Sequence, residues 1–208
     1  QLVAPAVDIQ YQPSVRLATD LGMLNNLGGN AVELLTDYQG TINRIAADID
    51  ASRHHVHLCF YIFGDDARTA IVIDALGRAV ARGVICRVLI DAFGSRPSRR
   101  TLLPKLRALG VAARVALPVR VGRKSARFDL RNHRKIVVID GEIAYTGSQN
   151  MVSADFKPGL NYSELMVRIK GPSAQQLQAV FGSDWFVESG EFIGEAAFPP
   201  PVIAGKTA

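Results

Sequence analysis

The stretch of sequence that decides the fold lies at residues 133–150, where the chain reads HRKIVVIDGEIAYTGSQN. Residues 134–139 are mostly β-branched, and this composition predicts a strand. The Asp140-Gly141 pair that follows is typical of a two-residue hairpin turn. Residues 142–146 would then return as the second strand, so the stretch predicts an antiparallel hairpin.

The hairpin also predicts which polar side chains lie on a common surface. Counting back from the turn gives three opposed pairs: Ile139 with Glu142, Lys135 with Thr146, and His133 with Ser148. Because side chains alternate along a strand, the last two pairs are expected on one face. Asn150 joins that face if the extended run continues. Asp140 lies at the turn instead, and we assign it a structural role.

The residue types on this face suit phosphoryl chemistry. A neutral imidazole, such as that of His133, is a competent nucleophile toward phosphorus. The ammonium of Lys135, with the donors of Ser148 and Asn150, can hold the non-bridging oxygens of a phosphodiester. The stretch carries no cluster of carboxylates that would bind Mg²⁺. We therefore expect the chemistry to need neither a metal nor another cofactor.

The spacing of these residues resembles a known signature. His133-x-Lys135-x-x-x-x-Asp140, followed by Gly147-Ser148-x-Asn150, resembles the HxKxxxxD motif of the phospholipase D superfamily. Between about residues 30 and 188 the chain is most similar to bacterial cardiolipin synthases of the phospholipase D type. The segments that carry this similarity include residues 61–63, 82–84, 89–95, 127–132 and 143–147.

The resemblance implies an activity and a set of partners. Proteins of this type are phosphatidyltransferases that make cardiolipin from two phosphatidylglycerol molecules through a phosphohistidine, without a metal. An anionic phospholipid as substrate and a membrane surface as partner are implied. So is a place at the bacterial cytoplasmic membrane, with this domain soluble or peripheral. Glu164 resembles the acidic position downstream of the motif, whose carboxylate hydrogen-bonds a catalytic imidazole and stabilises its protonated form.

The chain carries only one copy of this motif. Its four histidines are His54, His55, His57 and His133, and only His133 has a lysine two positions later. Members of the resembled type carry two motifs, and their active site forms where the two halves meet. We therefore expect a second motif, supplied by another half of a longer enzyme or by a second copy of this chain.

Three other functions remain open on the sequence alone. A homodimeric nuclease, or another phosphodiesterase of the superfamily, would apply the same residues to nucleic acid. A phosphatidylserine synthase or phospholipase D would differ only in the hydroxyl that accepts the phosphatidyl group. An inactive half that binds anionic lipid or scaffolds a partner is the third. The joint presence of His133, Lys135, Ser148 and Asn150 argues against that last function.

Positive charge is concentrated in one part of the chain, whose overall net charge is +5. Residues 96–135 hold thirteen Lys or Arg and one acidic residue. A segment of this kind beside the hairpin is expected to meet an anionic lipid surface or a nucleic-acid backbone. Its single aromatic residue, Phe128, favours lipid, because single-strand grooves offer several stacking aromatics. The predicted headgroup contacts are Arg99, Arg100, Arg123 and Lys124.

Strand and helix patterns alternate along the chain. Strands are predicted at residues 57–63, 84–90, 111–117 and 162–169, and helices at 41–52, 64–82, 99–109 and after Pro172. This alternation predicts a single α/β domain with a mixed β-sheet flanked by helices on both faces. Residues 1–30 are predicted to be an N-terminal extension or linker, and 31–190 the phospholipase D-like domain. Residues 191–208 are predicted to be a Pro-containing tail or linker to a second half.

Composition agrees with one globular domain. The chain has 208 residues, of which 48% are hydrophobic and 21% charged, and this is enough for one sizeable core. A helix that crosses a bilayer needs about 20 consecutive apolar residues. No run in the sequence approaches that length, so no transmembrane segment is predicted.

Overall fold

Seven strands and five α-helices form within residues 7–22, 24–118 and 131–205, which are the residues that the computed structural model describes. The strands in chain order are β1 (Ala31–Leu35), β2 (His55–Phe60), β3 (Ile85–Asp91), β4 (Ala112–Ala116), β5 (Lys135–Ile139), β6 (Ile143–Gly147) and β7 (Met166–Lys170). The helices are α1 (Gln12–Gly22), α2 (Tyr38–Asp50), α3 (Ala70–Ala81), α4 (Arg99–Ala108) and α5 (Ser173–Ser189).

The strands form one mixed sheet in the order β1-β7-β6-β5-β2-β3-β4. Strands β2, β3 and β4 run parallel, each joined to the next through a helix. On the other side of β2, the strands β5, β6, β7 and β1 follow one another antiparallel. This arrangement confirms the predicted α/β class with a mixed sheet.

Helices cover both faces of the sheet, as predicted. On one face, α2, α3 and α4 contribute Ile45, Leu76 and Leu106 to the larger core cluster. On the other face, α5 contributes Phe181 and Trp185, both fully buried, to a second cluster. Complete burial of such a side chain stabilises the fold by about 1.5–3 kcal/mol relative to leaving it exposed. The two clusters together therefore hold the sheet from both sides.

Two predicted elements begin later than the sequence indicated. Helix α3 begins at Ala70, because the Asp66 carboxylate first closes a turn. It accepts the backbone N–H groups of Arg68 at 2.9 Å and Thr69 at 3.0 Å. Strand β7 begins at Met166, and the residues predicted to start it belong instead to the loop that follows β6.

The central hairpin has a register one residue away from the predicted one. Ile139 lies opposite Ile143 rather than Glu142. The N–H of Glu142 donates to the carbonyl of Ile139 at 3.1 Å, so Glu142 stays in the turn. Asp140 and Gly141 have φ angles of 53° and 66°, which is the left-handed conformation that such a turn requires. The predicted turn is present, but Glu142 adds a third residue to the loop.

This shift changes which side chains share a face. Thr146 lies opposite Ile136, and therefore on the face away from Lys135. The predicted pairs of Lys135 with Thr146 and of His133 with Ser148 are wrong, because one extra loop residue moves every partner by one position. Ser148 still reaches the same pocket as His133, since it lies beyond the end of β6.

Two buried histidines lie between the sheet and α5. The Nδ1 of His57 is 3.0 Å from the Oε1 of Gln178, and its Nε2 is 3.2 Å from the guanidinium of Arg87. The ring of His57 also stacks on Phe181, with centroids 4.7 Å apart. Burial lowers the pKa of His57 to about 3 and the pKa of His55 to about 4. Both imidazoles are therefore neutral at pH 7.

These histidines predict that the fold is sensitive to acid. In the unfolded chain both histidines bind a proton below about pH 6.5. In the folded chain His55 becomes protonated only near pH 4 and His57 only near pH 3. Stability is therefore complete above pH 6.5 and falls toward pH 4, by about 1.4 kcal/mol per pH unit for each histidine. Urea unfolding across that range measures the slope. His57→Gln should reduce by roughly half the contribution of the two histidines to the slope of unfolding free energy against pH. An unchanged slope would contradict the assignment of this acid sensitivity to His57.

Candidate active site

A pocket of about 410 Å³ lies where the central hairpin ends. Its lining includes all five residues predicted to be catalytic, which are His133, Lys135, Ser148, Asn150 and Glu164. Tyr61 and Ile62, which follow β2, complete one wall. Residues from the chain after β2, from the hairpin and from the segment before β7 therefore meet at one point.

Lys135 is buried against His133, with 3% of its surface exposed. Its Nζ lies 2.8 Å from the Nδ1 of His133 and 2.8 Å from the carbonyl oxygen of the same residue. The ring of Tyr61 packs on both, with its centroid 4.5 Å from the imidazole centroid and 5.5 Å from the Lys135 Nζ. Because ammonium and imidazole touch, an oxygen held by Lys135 would lie beside a ring nitrogen of His133.

The environment of His133 favours its neutral form. Partial desolvation of its ring in the pocket lowers the pKa of His133 below its ordinary value of 6.5, and the charge of Lys135 lowers it further. The carboxylates of Asp91 and Glu164 act in the opposite direction and do not reverse the shift. At pH 7 the imidazole therefore keeps the lone pair that attack on phosphorus requires. Burial lowers the pKa of Lys135 as well, and the charge of Glu164 opposes that shift.

Two substitutions should move the pKa of His133 in opposite directions. Lys135→Met removes a positive charge and should raise this pKa, whereas Glu164→Gln removes a negative charge and should lower it. NMR titration of the His133 ring protons measures both changes without any need for turnover. Shifts of the same sign in the two variants would contradict the electrostatic account of the pocket.

The Gly147-Ser148 pair ties the hairpin to the segment that precedes β7. The backbone N–H of Ser148 donates to the carbonyl of Leu165 at 2.9 Å, and the N–H of Leu165 donates to the Ser148 hydroxyl at 3.1 Å. A Cβ on Gly147 would lie 2.2 Å from the Leu165 carbonyl oxygen, so only glycine permits this approach. The pairing keeps Glu164, the neighbour of Leu165, at the pocket wall.

Asn150 is oriented by the chain that follows β2. Its Oδ1 accepts the backbone N–H of Ile62 at 3.1 Å. With the oxygen used in this way, the NH₂ group is the part of the amide that Asn150 can offer to a bound anion. The same bond fixes Ile62 and therefore the position of Tyr61 over the imidazole.

Residues on either side of His133 are anchored by carboxylates that the sequence analysis missed. Asp91, at the end of β3, is buried and accepts the backbone N–H of Asn132 at 3.1 Å. Asp184 on α5 accepts the side-chain amide of Asn132 at 2.9 Å and pairs with Arg134 at 2.9 Å. The only available signal was the presence of Asp91 in the similar segment 89–95, because no local spacing links these positions.

Three further pocket residues were also missed, namely Phe156, Lys157 and Tyr162. The rings of Phe156 and Tyr162 stack with centroids 5.0 Å apart. The Nζ of Lys157 lies 5.6 Å from the first centroid and 5.7 Å from the second. Lys157 therefore adds a second cation to the pocket, in addition to Lys135. The Phe156-Lys157 pair just downstream of the motif was the signal that could have suggested it.

Asp140 lies at the opposite end of β5 from His133. Its carboxylate accepts three consecutive backbone N–H groups, from Arg53 at 2.9 Å, His54 at 2.8 Å and His55 at 2.9 Å. These bonds join the hairpin turn to the start of β2. Such contacts suit a structural role for Asp140, which stays a prediction.

The predicted headgroup contacts are only partly described. Arg99 and Arg100 begin α4, and the guanidinium of Arg99 donates to the carbonyl of Ala92 at 3.3 Å. The pocket lining includes neither of these two arginines. Arg123 and Lys124 lie outside the described residues.

The described residues show neither a metal-binding cluster nor a membrane-spanning helix. No group of three or more His, Cys, Asp or Glu side chains in this part of the chain is arranged to hold a metal ion. Among the helices of the same residues, none combines the length and the apolar character needed to cross a bilayer.

The sequence around this pocket matches a known family. Residues 45–185 match the family described as cardiolipin synthase, PLD-like domain. The chain belongs to this family. The matched range of the phospholipase D-like domain includes every residue that lines the pocket.

Curated relatives agree with this membership. The chain is 37% identical to cardiolipin synthase A of Proteus mirabilis over 196 residues, which are 91% of this chain and 40% of that protein. It is 39% identical to cardiolipin synthase A of Yersinia pseudotuberculosis over 184 residues, or 86% of this chain and 37% of that protein. This member of the family thus spans about two fifths of the length of the relatives it matches.

A solved structure shares the fold. Nuc of Salmonella typhimurium, a phospholipase D family member, aligns with a TM-score of 0.59 at 20% identity. The alignment covers 76% of this chain and 96% of that one. At this level of identity the likeness concerns the fold alone.

Proposed function

We propose that this chain supplies one catalytic motif of a phosphatidyltransferase that makes cardiolipin from two phosphatidylglycerol molecules without a metal. The observation that carries the proposal is the contact of 2.8 Å between the Lys135 ammonium and a His133 imidazole whose pKa is lowered. That pair combines a neutral nucleophile with a cation for the phosphoryl oxygens. The identity to cardiolipin synthase A supports this donor and acceptor over other phosphodiesters.

The reaction proceeds in two displacements at phosphorus. A ring nitrogen of His133, or of its counterpart in the second motif, attacks the phosphorus of the first lipid and forms a phosphohistidine. The bond from phosphorus to the glycerol oxygen breaks, and the other histidine donates its proton to that oxygen. A hydroxyl of the second lipid then attacks the phosphorus of the phosphohistidine, and its proton passes to the other histidine, which is now neutral. The bond from phosphorus to the first imidazole breaks, and cardiolipin is released.

The residues around His133 bind the phosphoryl oxygens and stabilise the protonated histidine. The ammonium of Lys135 and the amide NH₂ of Asn150 hold the non-bridging oxygens, and the hydroxyl of Ser148 adds a donor at the pocket wall. Glu164 stabilises the imidazolium that forms when a histidine takes up the proton. The negative charge that develops on the phosphoryl group is neutralised by these side chains.

A second motif completes the site in this proposal. It comes from another half of a longer enzyme or from a second copy of the chain. Residues 31–190 form the phospholipase D-like unit, residues 1–30 an extension, and residues 191–208 a tail or linker to a second half. The unit works at the bacterial cytoplasmic membrane, where its anionic substrate lies.

The test uses the purified chain with phosphatidylglycerol in mixed micelles that contain EDTA. Mass spectrometry quantifies cardiolipin and released glycerol across a dilution series of the protein. We expect cardiolipin to form with a specific rate that falls on dilution, because two copies then complete each site. Cleavage of DNA or RNA in EDTA, with no lipid product at any protein concentration, would contradict the proposal and favour the nuclease function.

A further inference from the structure

A second pocket, of about 420 Å³, lies beside the first and has no role in the mechanism above. The loop of residues 153–162 contributes side chains to both pockets. Phe156 and Tyr162 line the first pocket, whereas their sequence neighbours Asp155 and Asn161 line the second. The loop is closed by a hydrogen bond of 2.9 Å from the Tyr162 N–H to the Ala154 carbonyl. The two pockets therefore border the same loop.

A second element also joins the two pockets. The backbone carbonyl of Tyr38, in the second pocket, accepts the side-chain amide of Gln149 at 2.9 Å. Gln149 stands between Ser148 and Asn150, which both line the first pocket. Burial raises the pKa of Tyr38, and the charges of Glu164 and Asp66 raise it further. The phenol therefore stays protonated.

The lining of the second pocket is almost entirely hydrogen-bonding. Apart from Ala154, its lining groups are two hydroxyls, two amides, one guanidinium and one carboxylate, contributed by Tyr38, Ser153, Gln39, Asn161, Arg68 and Asp155. One cation and one carboxylate leave little net charge, which does not suit a multiply charged anion by itself. The Ser153 hydroxyl already donates to Asp155, and the Gln39 amide donates to Asn43 at 3.1 Å. The oxygens of these two side chains and the Asn161 amide suit a ligand with several hydroxyl groups. A single guanidinium suits one phosphate attached to that ligand.

We propose that the second pocket binds the glycerol phosphate headgroup of the acceptor lipid. This inference rests on the proposed function and names the site of the second substrate. Arg68 holds the phosphate of the acceptor, while Asn161, Gln39 and Ser153 hold its glycerol. With the phosphate and one hydroxyl held in the second pocket, the other glycerol hydroxyl extends past the loop to the phosphohistidine, where it competes with water. The pocket thus sets the ratio of cardiolipin to phosphatidic acid.

The first experiment measures binding and needs no turnover. Calorimetry in EDTA compares sn-glycerol 1-phosphate, which has the configuration of the headgroup, with inorganic phosphate on the wild-type chain, on Arg68→Gln and on Asn161→Ala. We expect the wild type to prefer glycerol 1-phosphate, and each variant to lose about tenfold in affinity for it. Arg16→Gln, an exposed arginine on α1, is the matched control and should bind like the wild type. Equal affinities of wild type and Arg68→Gln, or no binding by the wild type, would overturn the proposal.

The second experiment measures the ratio of the two lipid products, cardiolipin and phosphatidic acid. With phosphatidylglycerol in micelles, Arg68→Gln should lower the ratio of cardiolipin to phosphatidic acid about tenfold, and Arg16→Gln should leave it unchanged. A turnover that proceeds with the same ratio in Arg68→Gln would overturn this inference and leave the proposed function intact. If the wild type cleaves nucleic acid in EDTA and forms no lipid product, the proposed function fails, and the binding experiment alone decides whether the second pocket takes glycerol phosphate.

Discussion

The His133→Ala variant is expected to lose cardiolipin formation by about a thousandfold or more while it keeps its fold. The imidazole forms a covalent bond to phosphorus or transfers the proton in each displacement, and alanine can do neither. Loss of one member of a catalytic unit costs nearly as much as loss of the whole unit. His133 itself is exposed, and its neighbours Asn132 and Arg134 are held by Asp91 and Asp184. The substitution should therefore leave those anchors in position.

The measurement compares initial rates of glycerol release for the wild type and His133→Ala at matched protein concentration. His54→Ala is the matched control, since His54 is exposed at the opposite end of the sheet and does not line the pocket of His133. That control should retain the wild-type rate. A His133→Ala protein with more than a tenth of wild-type activity would contradict the role of His133.

The Asp140→Asn variant is expected to lower the free energy of unfolding by about 2–3 kcal/mol. The Asp140 carboxylate accepts three backbone N–H groups at 2.8–2.9 Å, and hydrogen bonds to a charged acceptor are worth more than neutral ones. An amide leaves one of those donors facing an NH₂ group. Asparagine tolerates the left-handed conformation of this position, where φ is 53°, so the backbone adds little to the loss.

Urea unfolding at pH 7 measures this change, and activity is assayed on the folded protein. Asp20→Asn, on the exposed surface of α1, is the matched control and should change stability by less than about 0.5 kcal/mol. The folded Asp140→Asn protein should retain activity. A variant of wild-type stability that lacks activity would show that Asp140 acts in catalysis rather than in the turn.

Local sequence patterns predicted the fold class and the central hairpin. β-branched runs and the Asp140-Gly141 turn located the hairpin, and strand–helix alternation indicated the mixed sheet. The predicted register of the hairpin was wrong by one residue, because no pattern in the sequence indicates that Glu142 stays in the turn. Strand β1 and helix α1 were missed altogether. Most residues of β1 are exposed and α1 has no buried residue, so neither element belongs to the core that the sequence patterns indicated.

The candidate site was predicted only where its residues are adjacent in sequence or belong to the resembled motif. His133 and Lys135 are two positions apart, and their contact follows from that spacing. The anchors Asp91 and Asp184 lie 41 and 52 positions from Asn132, and only the folded chain brings them together. The second pocket was missed for the same reason, because its wall and its arginine come from separate loops.

Trapping the covalent intermediate tests most directly whether His133 is the nucleophile. The chain reacts with phosphatidylglycerol in EDTA, the reaction is stopped with base to preserve a phosphohistidine, and the digested peptides are analysed by mass spectrometry. When the site is completed by two copies of this chain, the account predicts a phosphatidyl group on the peptide that contains His133 and none in His133→Ala. Turnover of the lipid with the phosphatidyl group on another residue, or with no adduct at all, would contradict it.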